Sequence, residues 1–494
     1  MKLTKYILSW FGILFFLISS GSGLYFLYIT GYSLALVLLI GFYSINLLVT
    51  SIVFIQTRQP AGKLSWMMVF LLLPFIGAAI FLIFGQRYKS RKSAYEYWRK
   101  ETFKYEIHTK QKEETLEASL LNKQSNISKR GVYNADVEIF SNGDKGYKRL
   151  FEDLEKAEKF IHLQYYIIKP GEIFDQLKDI LIRKAEQGVE IKFIVDDFGR
   201  WAVPWYEIKN LKQKGIHIER FGKVYFPFIG SYNGYRMHRK STNIDGKIVH
   251  TGGINIADEY ANLNKKFGLW MDYQIRITGA SVRSYSLLFI DDWEHITGVK
   301  LDIKKYLTEN SGGESKMILI EDSPENSEPI LQDSIINMII NAKKEIILTT
   351  PYLTPTPELF SALRNASISG VKVKILIPGK ADKKPIMLAT RYYAWALSKY
   401  GVEVYEANSL LIHSKIGIFD NKYAYVGTAN LDVRSMYSQW EIIQLLTGPI
   451  IKEIKDVIDG YLINTTKLSS EELKASKIKD ILVRMYVNLF SPIM

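Results

Sequence analysis

Met237–Asn255, MHRKSTNIDGKIVHTGGIN, reads as His238-x-Lys240-x4-Asp245, followed seven positions on by Gly252-Gly253-x-Asn255. Ile412–Asn430, IHSKIGIFDNKYAYVGTAN, repeats it as His413-x-Lys415-x4-Asp420, then Gly427-x-x-Asn430 at the same distance. A lone His-x-Lys is an ordinary pair on an exposed strand. His, Lys, Asp, Gly and Asn recurring at identical offsets mark a duplication.

The segments around the two copies repeat as well. Glu158–Ile168 is a candidate buried strand. Asp175–Gln187 has helical spacing, with Leu177, Ile180, Leu181 and Ala185 on one side, and Val189–Val195 is the next strand. The second half replays this order: 342–352 matches 157–166, Gly370–Ile377 matches Gly188–Val195, and 401–404 matches 215–218. The pattern predicts an α/β protein, two duplicated αβ halves around one shared active site. The halves are expected at 136–300 and 329–465, with a polar connection at 301–328 that contains ENSGGES and EDSPENSE.

The chemistry follows from side-chain parity. Strand alternation through Leu411–Phe419 puts His413, Lys415 and Gly417 on one face and Ile412, Ile416 and Ile418 on the other. An imidazole beside an ammonium suits a tetrahedral anion. Asp420 falls at the strand end, which suggests a positioning role. Gly427–Asn430 supplies small residues and an amide donor for phosphate oxygens, as Gly252, Gly253 and Asn255 do in the first copy. Two such sites are best used facing each other across a pseudo-two-fold axis. One His attacks phosphorus and the other protonates the leaving alkoxide, while the two Lys stabilise the developing charge. Asp272 and Glu441 are candidates to orient the two imidazoles. No metal cluster is evident, and neither a metal nor another cofactor is expected.

The chain has 494 residues, a formal charge of +13, and 31 Tyr, 25 Phe and 9 Trp. That balance suits either nucleic acid or an anionic membrane surface. With no Cys, disulfides, thiolate zinc sites and a Cys nucleophile are excluded. Tyr6–Thr57 contains no charged residue, with a turn expected near Thr30-Gly31, and Leu64–Gly85 is a further apolar stretch of spanning length. Residues 1–86 therefore read as a transmembrane region of two or three spans. Residues 87–135 read as a solvated juxtamembrane helix and linker, and 466–494 as a C-terminal amphipathic helix. The basic run Arg87–Lys100 favours a cytoplasmic catalytic part in a multi-pass cell-membrane protein. Spans beside the catalytic halves favour a lipid substrate over nucleic acid.

The paired His-x-Lys-x4-Asp motifs resemble those of the phospholipase D superfamily. HRKSTNIDGK, GGINIADEY, FGLWMDYQIRI, HSKIGIFD and GTANLDVRS, together with the membrane-spanning start, are similar to the bacterial cardiolipin synthases of that superfamily. The resemblance covers almost the whole chain. It implies a phosphatidyltransferase that converts two phosphatidylglycerols in the bilayer into cardiolipin and glycerol through a phosphatidyl-histidine intermediate. It also implies that His238 is the nucleophile and His413 the acid–base group, with Lys240, Asp245, Lys415 and Asp420 completing the set. Ser241-Thr242-Asn243 and His250-Thr251 depart from the family, being polar where an apolar strand is usual. The rival readings are a phospholipase D-type hydrolase, a phosphatidyltransferase with another acceptor, a membrane-anchored nuclease and a non-catalytic scaffold.

Overall fold

The computed structural model describes residues 22–55, 60–73, 76–81, 85, 102–106, 116–224, 234–264, 268–326, 328–380, 383–474 and 477–490. The chain forms two units: Met1–Arg87 with Tyr225–Gly234 and Met485–Met494, and Tyr88–Val224 with Tyr235–Arg484.

In the first unit, the helix Leu34–Ile55 is 22 residues long with a mean hydropathy of 2.2. At ~1.5 Å per residue it matches the ~30 Å hydrocarbon thickness of a bilayer. Only 17% of its most apolar stretch is buried, and Leu34, Leu38, Leu47 and Phe54 are more than half exposed, so it is not a core helix. The expected turn lies at Thr30-Gly31, where Gly31 takes φ +84°. Residues of the candidate span before it fall largely outside the described residues. The third apolar stretch is divided into a 13-residue helix, Pro60–Leu72, and a short one, Gly77–Ile80. Thirteen residues reach ~20 Å, too short to cross alone. Trp66, Phe70 and Phe81 pack on Val49 and Val53, with the Phe81 ring edge-on to both other rings.

Among the described residues the second unit is built on one 16-stranded sheet, in which fifteen strands form the main path and the two-residue strand Arg236–Met237 pairs off it with Gln439–Trp440. Its first half contributes β1 (Tyr133–Phe140), β2 (Phe160–Tyr165), β3 (Glu190–Asp196), β4 (His217–Phe221), β5 (Ser241–Ile244), β6 (Ile248–Gly252) and β7 (Gln274–Thr278). The second half contributes β8 (Ser315–Asp322), β9 (Glu345–Thr349), β10 (Lys372–Ile377), β11 (Glu403–Ala407), β12 (Ile416–Phe419), β13 (Tyr423–Gly427), β14 (Gln439–Thr447) and β15 (Thr465–Leu468). The first half runs β1-β7-β6-β5-β2-β3-β4 and the second β8-β14-β13-β12-β9-β10-β11-β15. Each strand of the first half thus has its counterpart seven labels on. In each half, three strands are parallel and the rest antiparallel. All six residues of β2 are buried, as expected for a strand covered on both faces. On one side lies the helix Glu172–Glu186, burying Leu177, Ile180 and Leu181. On the other, Phe289 of the helix Val282–Thr297 stacks on His162 with centroids 4.0 Å apart.

Three expectations are corrected here. The connection 301–328 contains a central strand: β8 pairs with β1 (Tyr133↔Met317) and with β14 (Met317↔Leu446), so it is the seam that makes one sheet of two halves. Met317–Ile320 is fully apolar and buried; the turn-rich flanks obscured it. The linker 87–135 is not solvated throughout. Its helix Leu116–Ser128 buries Leu120 and Leu121 in the core of the second half. Buried Arg130 meets Glu106 at 2.8 Å, Glu321 at 2.9 Å and Asp291 at 3.7 Å. The tail from 466 is also not one helix. It first adds β15 antiparallel to β11, then forms a Ser469-capped turn and the helix Lys477–Phe490.

The polar stretch in the first motif has a physical reason. Its β5 packs against polar neighbours: Ser241 donates to Gln164 (3.2 Å), Thr242 pairs with the Tyr165 hydroxyl (2.9 Å), and Asn243 donates to Ser286 (2.9 Å). His250 meets the Asp153 carboxylate at 2.9 Å, which also takes Arg276 at 2.6 Å. These buried groups are hydrogen-bonded to one another, which offsets their desolvation.

Candidate active site

Each motif begins just outside a strand. Arg236–Met237 and Leu411–Ile412 are two-residue strands, and the His-x-Lys segments link them to β5 and β12. This corrects the picture of one strand running through the motif. The predicted apolar face survives the break: Ile412, Ile416 and Ile418 join one buried cluster. Each short strand pairs in parallel with the opposite half, Arg236–Met237 with Gln439–Trp440 and Leu411–Ile412 with Trp270–Met271. The His238 N–H donates to Trp440 O (2.9 Å) and the His413 N–H to Met271 O (2.8 Å). The halves therefore hold each other's histidines by the main chain.

The side chains cross in the same way. His238 Nδ1 lies 2.9 Å from Glu441 Oε1, and His413 Nδ1 lies 2.7 Å from Asp272 Oδ2. Each imidazole is oriented by a carboxylate from the other half. With Nδ1 facing a carboxylate, Nε2 is the nitrogen turned to the reaction, and in His413 it also lies 3.2 Å from Lys415 Nζ. Glu441 is itself fixed by hydroxyls of Thr428 (2.5 Å) and Ser435 (3.0 Å). Asp272 accepts the Tyr273 N–H at 2.9 Å. Gly253 makes room for it, since a Cβ there would stand 2.0 Å from Asp272 Oδ1. Gly252, at φ +143°, similarly lies against the backbone of Tyr273 and Gln274.

Both ammoniums lie beside their own histidine. Lys240 Nζ donates to His238 O (2.5 Å), and Lys415 Nζ lies 2.9 Å from His413 Nδ1. The hydroxyl of Tyr273, from the first half, is 3.1 Å from Lys415 O in the second. Burial, with Lys240, Lys415, His413 and Lys383 nearby, holds the His238 imidazole well below its usual range, so it is neutral at pH 7. Burial lowers Lys240 to about 7, against the pull of Glu441. Burial raises Glu441 to about 7, against the attraction of Lys240. These mutual effects place the two motifs in one electrostatic site.

The remaining predicted residues sit elsewhere in the framework. Asp245 accepts the N–H groups of Glu158, Lys159 and Phe160 at 2.9, 2.7 and 2.8 Å. Asp420 does the same for Lys343, Lys344 and Glu345 at 2.8, 2.7 and 3.0 Å. Each thus clamps the start of β2 or β9 from a left-handed turn position, with φ of 55° and 56°. Asn255 accepts from the Ile167 N–H (2.9 Å) and donates to the Tyr260 hydroxyl (2.6 Å), which leaves its side chain engaged by the framework. Asn430 donates only weakly, to Asp432 at 3.3 Å. Replacing Asp245 with Ala strands three backbone donors and should cost about 3 kcal/mol of stability. Thermal unfolding in detergent should show this loss, whereas His238→Ala should unfold near the wild-type temperature.

Four contributing residues escaped the sequence reading. Thr428 and Ser435 hold Glu441. Asp196 grips the Arg236 guanidinium at 2.6–3.0 Å and the Met237 N–H at 3.0 Å, just before His238. The Tyr166 ring stands edge-on to His238 at 5.1 Å, under Lys240. The Asp196-Asp197 pair at the end of β3 was the available signal for the third.

The chain is similar throughout to known proteins. A family model for the PLD-like domain of cardiolipin synthase matches residues 150–284 and 335–461, and one for a phospholipase D-nuclease N-terminal region matches 45–86. A cardiolipin synthase of Geobacillus kaustophilus is 32% identical, covering 92% of this chain and 94% of its own. A cardiolipin synthase 2 of Bacillus cereus is 30% identical over 90% of both chains. Among solved structures, a phosphatidylserine synthase of Haemophilus influenzae superposes with a TM-score of 0.61 at 14% identity, over 76% of this chain and all of its own. That likeness carries the fold.

Proposed function

Because the chain belongs to the PLD-like cardiolipin synthase family, we propose that it transfers a phosphatidyl group from one phosphatidylglycerol to another, releasing glycerol. The crossed pairs His238–Glu441 and His413–Asp272 carry the reading. They present two imidazoles as acid–base and nucleophilic partners in one buried cationic site.

In the first step the neutral Nε2 of His238 attacks phosphorus and displaces the glycerol oxygen, which takes a proton from His413. The product is a phosphatidyl–His238 phosphoramidate. In the second step His413 takes the proton from a hydroxyl of the second phosphatidylglycerol. Its oxygen attacks phosphorus, the P–N bond breaks, and cardiolipin leaves. Lys240 and Lys415 offset the charge on the equatorial oxygens. Asp245 and Asp420 are positioning residues for the strands behind the site, and Asp272 and Glu441 for the imidazoles. The substrates are lipids in an anionic bilayer, not nucleic acid. The protein is multi-pass, with its catalytic unit on the cytoplasmic side.

The test is to incubate the purified full chain in detergent with phosphatidylglycerol alone. Cardiolipin and glycerol in equal amounts are expected. Phosphatidic acid as the sole product would replace transfer with hydrolysis.

A further inference from the structure

We propose that Phe198–Tyr206 is a lip seated in the interface of the lipid bilayer, placing the His238 side of the site at the membrane surface. The segment begins where β3 ends. Asp196 pins Arg236 and Met237 next to His238, and Gly199 packs so closely on Tyr166 that a Cβ would stand 1.7 Å from its carbonyl oxygen. The Ile168 N–H donates to Gly199 O at 3.3 Å. The segment is therefore fixed to the residue whose ring lies against His238.

Its aromatic residues face outward. Phe198, Trp201, Trp205 and Tyr206 are 50%, 51%, 69% and 57% exposed. Isolated exposed aromatics need no explanation, but four fall within nine residues, and the Phe198 and Trp201 rings lie 5.0 Å apart. In the helix Trp205–Gln213, Ile208 and Leu211 are buried. Trp205, Lys209 and Lys212 share the exposed face, with Lys209 Nζ 5.6 Å over the Trp205 ring. Aromatic rings flanked by cations suit the headgroup level of an anionic bilayer, where the ring body meets acyl chains and the ammonium meets phosphate.

Duplication supplies an internal control. The matching connection after β10 exposes Lys380, Lys383 and Lys384 instead, so the fold does not require aromatics there. A bilayer is the occupant because the chain carries its own helix of spanning length and the exposed Lys209 and Lys212 beside the aromatics carry charge complementary to anionic headgroups. The delivery of lipid by this lip rests on the function proposed above; its contact with the membrane does not.

The test uses the full chain in phosphatidylglycerol vesicles and, separately, with monomeric dihexanoyl-phosphatidylglycerol. Phe198→Ser/Trp205→Ser should raise the KM for vesicle lipid about tenfold and leave turnover of the monomeric lipid unchanged. In parallel, the tryptophan emission quenched by brominated lipid should lose a component in Trp205→Phe. An unchanged vesicle KM, an equal loss on both substrates, or a Trp205 component quenched only by aqueous iodide would overturn the lip. Wild-type protein that makes no cardiolipin from either substrate would sink the function instead, and the brominated-lipid measurement would still decide the contact.

Discussion

Replacing His238 with alanine is expected to lower turnover about ten-thousandfold or more and to leave the chain unlabelled by phosphatidylglycerol carrying a labelled acyl group. His413→Ala should be comparably slow in turnover but should accumulate label on the protein. The asymmetry follows from the neighbours of His238. With Nδ1 donating to Glu441 and cations crowding the buried ring, the imidazole is neutral and offers an Nε2 lone pair to phosphorus. His413 is needed to protonate the leaving glycerol oxygen. It is needed again to deprotonate the acceptor, so its loss stalls the second step once an intermediate has formed. The label should be released by acid, as expected when a phosphoramidate holds it. Measuring bound label after denaturation in acid-free buffer decides the matter. Label retained by His238→Ala and absent from His413→Ala would reverse the two roles.

The duplication makes the fold and the candidate site's paired motifs legible in the sequence. His238, Lys240, His413 and Lys415 are read from offsets alone, because a repeat preserves spacing wherever chemistry needs it. The carboxylates were visible as Asp272 and Glu441, but their partners were not. Sequence order suggests no crossing, which depends on two-residue strands pairing with the opposite half. The seam strand β8 was hidden because Met317–Ile320 is a short apolar run between turn-rich segments, and only pairing with β1 and β14 distinguishes it from a connection. Asn255 illustrates the opposite failure. Its amide suits a phosphate by type, yet the Ile167 N–H and the Tyr260 hydroxyl already engage it. Ser241-Thr242-Asn243 departs from the family pattern because the polar side chains that answer it come from two distant elements, Gln164 and Tyr165 of β2 and Ser286 of the helix Val282–Thr297.

Glu441→Gln should cost up to about ten-thousandfold in turnover, the loss when an orienting carboxylate becomes an amide. Three donors converge on the two oxygens of Glu441: His238 Nδ1, Thr428 and Ser435. An amide has one acceptor oxygen and turns its NH2 toward a donor, which favours the wrong tautomer of His238. The carboxylate also sets an acid limb. Its pKa is raised to about 7 by burial, so it gains a proton, and the rate falls, as pH drops through about 7. Lys240, lowered to about 7 by burial, loses its charge on the other side, and kcat/KM should peak near neutrality. A bound phosphodiester favours the ammonium, so the alkaline limb should lie higher in kcat than in kcat/KM. In Glu441→Gln the acid limb should vanish from the residual rate, while in Asp272→Asn it should persist at a similarly reduced rate. An acid limb that survives in Glu441→Gln would belong to another group, and the crossed pair would then orient His238 without governing its pH dependence.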